Sequence, residues 1–220
     1  MNRRSLPAAA AIATAAALLL TACGGGGDSK SKDSGKIAGA DQGASKPASP
    51  SASSSAAPDR PKFTFPADVS YVFDWPKAGD PDRDAVLADG EQFIKAEDYA
   101  IVKQDPKEAG YRFYTEGQLA ASTQEYIASY VKVKARITGT DRYYNATVDL
   151  SGKKTATLSY CEDQRKTFDL YLKTNKVDRT PLKNPKDNYV LYNTALSKND
   201  QGVWVTTKLF SERGSNKCQP

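Results

Sequence analysis

Between Gly24 and Arg60 the chain carries one large apolar side chain, Ile37, among Gly, Ser, Ala, Pro and scattered charges. Six then arrive in quick succession: Phe63, Phe65, Tyr71, Val72, Phe73 and Trp75. That step confines a packed core to residues 61–220. A segment as poor in apolar surface as 24–60 cannot offset the entropy lost on ordering it. It reads as a flexible tether with a root-mean-square reach of roughly 33 Å for a Gly/Ser-like coil. The remaining stretch of about 160 residues is long enough to bury a real core.

Ahead of the tether, residues 1–22 have a basic start (Arg3, Arg4), an apolar middle from Ala8 to Leu20 broken only by Thr14, and small residues before Cys23. This is the layout of an export signal. Its apolar part is too short to cross about 30 Å of hydrocarbon at 1.5 Å per residue, so it reads as a tag and not as an anchor. Leu20-Thr21-Ala22-Cys23 resembles the bacterial lipobox. That resemblance implies that the Cys23 thiol takes a diacylglycerol, that acyl chains (palmitate among them) hold the mature chain, and that the protein sits on the extracytoplasmic face of the cell membrane. Several acyl chains anchor firmly where one holds only marginally. An ordinary secretory signal cut near Ala22 is the rival reading. Arg3-Arg4 leaves general and twin-arginine export both open.

Lipidation of Cys23 leaves two of the three cysteines, Cys161 and Cys218, on an oxidising side of the membrane where thiols pair. A Cys161–Cys218 disulfide is expected, closing a loop of about 58 residues and worth about 4 kcal/mol on the chain-entropy account. A metal site is the poorer reading, because two Cys and no His leave zinc short of ligands. Loss of Arg3 and Arg4 with the signal leaves 31 − 2 = 29 basic against 26 acidic residues. That +3 is too small for a dedicated nucleic-acid binder. The expected partners are the membrane, through Cys23, and then a cell-wall polymer or a protein. No cofactor is expected.

Within 61–220 the aromatic stretch 63–75 reads as an extended segment packed along the domain, with an exposed recognition patch as its rival. Asp80-Pro81 opens a helix as N-cap and first helical residue, and Asp105-Pro106 stops it. Val86, Leu87, Phe93, Ile94 and Ile101 recur at helical spacing. Asp80, Asp82, Asp84 and Glu91 have calcium-loop spacing, but Ala85 stands where the sharp turn needs Gly. A connector with Tyr111, Phe113 and Tyr114 leads to a second helix, for which Thr115 and Gln118 spell a capping box. Leu119, Tyr126, Ile127 and Tyr130 line its face, and the switch to strand is expected near Lys134.

From there the period is two. Tyr144, Ala146, Val148 and Leu150 alternate with Asn145, Thr147 and Asp149, Ser151-Gly152 turns the chain, and Ala156, Leu158 and Tyr160 run on to Cys161. Phe168–Leu172, Tyr189–Leu196 and Val203–Phe210 supply three further strands. Helices followed by hairpin-linked strands predict an α+β domain, helices on one face of a curved antiparallel sheet of about four to six strands.

This order of elements resembles the NTF2-like cone. The residues Ile137-Thr138-Gly139, Tyr143-Tyr144, Ala156 to Cys161, Gly202-Val203-Trp204 and Glu212 to Cys218 are similar to those of secreted actinomycete lipoproteins of unassigned function. The resemblance spans roughly residues 63–220, implies the same cysteine pair and is silent on activity. The expected function is a non-catalytic ligand- or partner-binding domain at the envelope. The alternative is a small isomerase- or dehydratase-like enzyme using the cone as its pocket, since enzymes of this fold place carboxylates, Tyr or His there. No enzyme is expected, and no catalytic residue is assigned. The chain has no His, the commonest general base near neutral pH, and Asp149, Asp163 and Asp169 read as a solvated face. An enclosed pocket holding a buried carboxylate next to Tyr would favour chemistry, whereas a cone filled by Tyr, Phe and Leu side chains would exclude it. For binding, the charged candidate is Lys173, Lys176, Arg179, Lys183 and Lys186, opposed mainly by Asp178.

Overall fold

The structure, a computed structural model, describes residues 58–220. Cys23, the export signal and the tether up to residue 57 lie outside the described residues.

Three helices stand between a first strand and five later ones. β1 (Val69–Asp74) is followed by α1 (Pro81–Lys103), α2 (Ala109–Tyr114) and α3 (Gly117–Val133). Then come β2 (Ala135–Leu150), β3 (Thr155–Tyr171), β4 (Lys176–Asp178), β5 (Tyr189–Lys198) and β6 (Trp204–Arg213). They form one six-stranded sheet ordered β1-β2-β3-β5-β6, with β4 beside the end of β3. This is the α+β cone expected: a curved sheet whose inner face closes over the helices. One edge departs from expectation. The aromatic segment contributes a strand, β1, which runs parallel to β2 from Val69↔Gly139 to Asp74↔Tyr144. Its alternate residues Tyr71 and Phe73 pack against the core, and Phe73 stacks on Tyr143 at 4.9 Å. Packing, the first of the two readings of this segment, is what these contacts show.

The predicted ends of α1 hold. Asp80 accepts from the backbone N–H of Asp82 and Arg83 at 3.0 Å, Pro81 follows, and Gln104 closes the helix in the left-handed region. The calcium-spaced acids therefore belong to a helix cap and its first turns. Gly90 sits where α1 meets the sheet, and a Cβ there would lie 2.5 Å from Leu158 Cδ2. The capping box at Thr115 does not form. Its hydroxyl donates back to the Tyr111 carbonyl at 2.8 Å, because the supposed connector is itself the helix α2 that Thr115 terminates. Glu116 takes the N-cap position of α3 without a side-chain hydrogen bond. Lys134, left-handed, ends α3, and β2 begins one residue later, as the alternation indicates.

Two expected strands, around Tyr160 and Phe168, are one strand, the 17-residue β3. β2 is interrupted by register shifts between Thr140 and Arg142 and between Tyr144 and Thr147, the second marked by Asn145 at φ 53°. Bulges bend a strand and increase its twist, which curves a sheet into a cone. They also change the phase: Tyr143 is buried at 1% exposure, whereas Tyr144 turns to the outer face beside Cys161 and Cys218. The reading of Tyr144 as in phase with Val148 is corrected by this bulge. At Gly139 (φ +100°) a Cβ would stand 2.0 Å from the Lys166 carbonyl oxygen, so this crossing admits only glycine.

Candidate functional site

Inside the cone the alternation of β3 points Leu158, Tyr160, Glu162 and Gln164 inward, all of them buried. Glu162, at 0% exposure, is an enclosed carboxylate that nothing in its sequence neighbourhood announces. Its neighbour across the ladder is Tyr143, whose O–H donates to Oε1 at 3.3 Å. Tyr192, on β5, donates to Oε2 at 2.7 Å, and the Gln164 amide donates to the same atom at 2.8 Å. Arg213, near the end of β6, donates to Gln164 Oε1 at 2.9 Å, extending the network outward. Burying a carboxylate without such donors would be prohibitive. The rings of Tyr143, Tyr160, Tyr192 and Trp75 form a continuous aromatic wall, with Tyr160 and Tyr192 stacked at 5.0 Å.

The arrangement brings together one proton acceptor and two phenolic donors, the chemistry of proton transfer to or from a small molecule. The space beside it is about 30 Å³, bounded by Phe93, Ile94, Glu97, the three tyrosines and Leu209. That is room for about one water, whereas pockets for small ligands hold roughly 300–1,000 Å³.

Larger spaces lie outside. A cleft of about 520 Å³ on the outer face of the sheet is lined by Val72, Thr140, Arg142, Asp163, Arg165 and Lys166. A second, of about 260 Å³, shares Arg165 and adds Phe168, Arg179, Leu182 and Asn188. A groove of about 680 Å³ follows the β6 edge between α3 and the sheet, where Phe210 is 67% exposed.

In the first cleft Asp163 is buried and paired with Arg165, whose Nη2 lies 2.7 Å from Oδ2. Burial pushes the Asp163 carboxyl up, but the Arg165 hydrogen bonds outweigh it and hold it below the usual carboxylate range. Three guanidinium groups lie over aromatic rings: Arg142 over Tyr144 at 4.8 Å, Arg165 over Tyr189 at 5.3 Å and Arg179 over Phe168 at 4.4 Å.

The expectation that Asp149, Asp163 and Asp169 form a solvated face holds for Asp149 alone. Asp163 and Asp169 are buried, at 7% and 1% exposure. The reason is the length of β3: the positions that read as strand ends are the middle of one strand, covered by β2 and β5 or β4. Of the basic candidates, Lys173, Lys176, Arg179, Lys183 and Lys186 are all exposed or partly so. Arg179 reaches the second cleft, whereas Lys173 and Lys176 belong to the turn and short strand that precede it. Arg142, Arg165 and Lys166, on two neighbouring strands, are not singled out by spacing in sequence. The Cys161 and Cys218 sulfurs are 1.95 Å apart, with Cα atoms at 5.5 Å, beneath Tyr144, whose hydroxyl donates to the Cys218 carbonyl. Among the described residues no group of three acidic, His or Cys residues could hold a metal ion, and no helix is long and apolar enough to cross a membrane.

No protein-family model and no curated protein matches the chain. Solved structures do. Aln2 from a Streptomyces species is 13% identical at a TM-score of 0.41, over 58% of this chain and 90% of that one. A protein assigned provisionally as a ketosteroid isomerase, from Shewanella frigidimarina, is 12% identical at 0.32, over 58% and 94%. One assigned provisionally as a scytalone dehydratase, from Novosphingobium aromaticivorans, is 10% identical at 0.36, over 59% and 90%. At 10–13% identity and TM-scores below 0.5, these likenesses carry no argument about this chain's family or activity. The expectation that no enzyme is to be looked for is corrected by the geometry inside the cone, where a carboxylate is enclosed rather than solvated. The enclosed Glu162 beside two tyrosines removes the ground on which that expectation stood.

Proposed function

We propose that this protein is exported, fastened by acyl chains on Cys23 to the extracytoplasmic face of the cell membrane, and presents its cone domain there as a binding module that works through the outer face of the sheet. One observation carries the choice of surface. The cavity lined by Tyr143, Tyr160 and Tyr192 is about 30 Å³, whereas the outer-face clefts measure about 520 and 260 Å³ and, unlike the groove of about 680 Å³ with Lys208 as its one charged residue, are lined by several charged side chains. The lipobox-like Leu20 to Cys23 and the tether behind it support the anchoring. Two sulfurs at bonding distance fit an oxidising compartment.

A second reading is favoured by Glu162, Tyr143 and Tyr192. Were the aromatic wall to swing aside for a small molecule, these groups could move a proton on it, and the tethered domain would be an envelope enzyme.

Anchoring is tested by comparing the wild-type chain with Cys23→Ala in its native type of host. The wild type is expected in the membrane fraction, with acyl mass on an N-terminal Cys23 and no thiol reactive under denaturing conditions. Cys23→Ala is expected in the medium or soluble fraction. A wild-type chain with an unmodified amino terminus and free Cys161 and Cys218 overturns the proposal.

A further inference from the structure

We infer that the two outer-face clefts together bind a linear, phosphate-bearing polyanion. This rests on the reading of the outer face as the binding surface and names its ligand class. The clefts meet at Arg165, and their lining residues include four cations (Arg142, Arg165, Lys166 and Arg179) against one carboxylate, Asp163. Asp74 adds a second acid at the rim, 2.6 Å from the Arg142 guanidinium.

The arginines are held ready. Each guanidinium carbon stands over a ring, 4.8 Å from the Tyr144 centroid for Arg142, 5.3 Å from Tyr189 for Arg165 and 4.4 Å from Phe168 for Arg179. A guanidinium held against a ring has less rotamer freedom left to lose when an anion arrives, although Arg142 already gives Nε and Nη2 to Asp74. Asp163 engages Nε and Nη2 of Arg165, and Nη1 takes no part in that pair. The planar fork matches phosphate oxygens, and Lys166 adds a point charge.

Shape decides for a chain over a lone ion. The two clefts together follow β3 from Asp163 to Phe168, about 16 Å at 3.3 Å per residue and several times the width of one phosphate, with Arg142 and Arg179 flanking Arg165 and Lys166 from the neighbouring segments. The surface is also recessed: Val72 and Thr140 wall the first cleft, Leu182 and Pro181 the second. A strand of polymer can enter such recesses, whereas the headgroups of a planar membrane meet only the rim. The register shift between Thr140 and Arg142 is what exposes Arg165 and Lys166 side by side. The site is thus a product of the bulge that also bends the sheet.

The test uses the full chain carrying Cys23→Ala, so that lipid plays no part, with sodium polyphosphate as probe in titration calorimetry. Binding is expected, with about a 20-fold loss between 0.05 and 0.2 M salt for three phosphate contacts at about 0.7 per contact. The double variant Lys166→Gln/Arg179→Gln is expected to bind at least about tenfold more weakly at the lower salt and to flatten the log–log salt slope by about 1.4, with an unchanged unfolding midpoint. Lys208→Gln, on the other groove, is expected to bind as the parent does. Salt-indifferent binding, or a double variant that binds like the parent, overturns the inference. So does inorganic phosphate binding as tightly as the polymer, or anionic phosphatidylglycerol vesicles binding through Lys166 and Arg179 where polyphosphate does not. If polyphosphate fails but a cell-wall extract shields Lys166 from acetylation, the outer-face reading stands and the phosphate ligand falls. Failure of both overturns both.

Discussion

Removal of the Arg60 side chain is expected to destabilise the domain by an amount that depends on pH in one direction only. Asp89 lies inside α1 with its side chain 1% exposed, and it has two partners. The Arg60 guanidinium is bidentate, with Nη2 at 2.7 and 2.9 Å from the two carboxylate oxygens, and the Trp204 backbone N–H donates at 2.8 Å. Burial pushes the Asp89 carboxyl up, only partly offset by the Trp204 N–H and by Arg60. Arg60→Gln therefore leaves a buried anion with a single strong donor. Breaking a buried pair on one side costs about 3–5 kcal/mol, and because Arg60 is about a third exposed a reduced figure, about 2–3 kcal/mol, applies. In a domain of this size that is roughly 5–10 °C in Tm at pH 7. An acid with a raised folded-state pKa holds its proton more tightly when folded than when unfolded. Stability linked to it is full at low pH and lost as pH rises through the raised value. Arg60→Gln raises that value further, so its deficit should shrink as pH falls from 7 to 4.5 and Asp89 takes up a proton. Asp89→Asn, which carries no charge to compensate, should remove most of the effect of Arg60→Gln in a double-mutant cycle. Thermal unfolding followed by circular dichroism at both pH values measures all four chains. A deficit equal at pH 7 and 4.5, or undiminished on the Asp89→Asn background, would refute the reasoning. Tyr114, whose phenol is pushed up to about 12 by burial and then by the Asp89 charge, gives a second readout. Its ionisation should begin at lower pH in Asp89→Asn.

Glu162→Leu should cost about 3 kcal/mol or more in urea unfolding at pH 7, because the Tyr143 and Tyr192 hydroxyls and the Gln164 amide lose their shared acceptor; Glu162→Gln, which keeps an acceptor oxygen, should cost about 1 kcal/mol. Equal losses would mean that packing volume alone matters at this position. Gly139→Ala should be more damaging than Glu162→Gln, by about 3 kcal/mol or more in all, since both the backbone conformation and the Lys166 carbonyl forbid a Cβ. A stable Gly139→Ala chain with an unchanged midpoint would show that the β2–β3 crossing has room for a methyl group.

Residues local in sequence were enough to place α1, α3 and the later run of strands, but not α2, β1 or the continuity of β3. Asp80-Pro81 caps α1 because a cap is a contact between neighbours, and the change of period at Lys134 marks the end of α3 because helix and strand place apolar side chains at different intervals. The boundary near Pro61 and lipidation at Cys23 rest on composition and spacing alone. Where a bulge inserted a residue, pattern reading lost its phase, as at Tyr143 and Tyr144 on either side of the sheet.

The tertiary structure alone decided which charges meet. Glu162, Tyr143 and Tyr192 lie on three strands, and Arg60 and Asp89 are 29 positions apart, so nothing in their spacing announces the contacts. Arg142 and Arg165 likewise share a cleft only because β2 and β3 pair in one particular register. A hydrophobic period records which side of an element is buried, a property each segment carries by itself. Pairing of charged groups depends on strand register and sheet curvature, which arise only when the segments pack together.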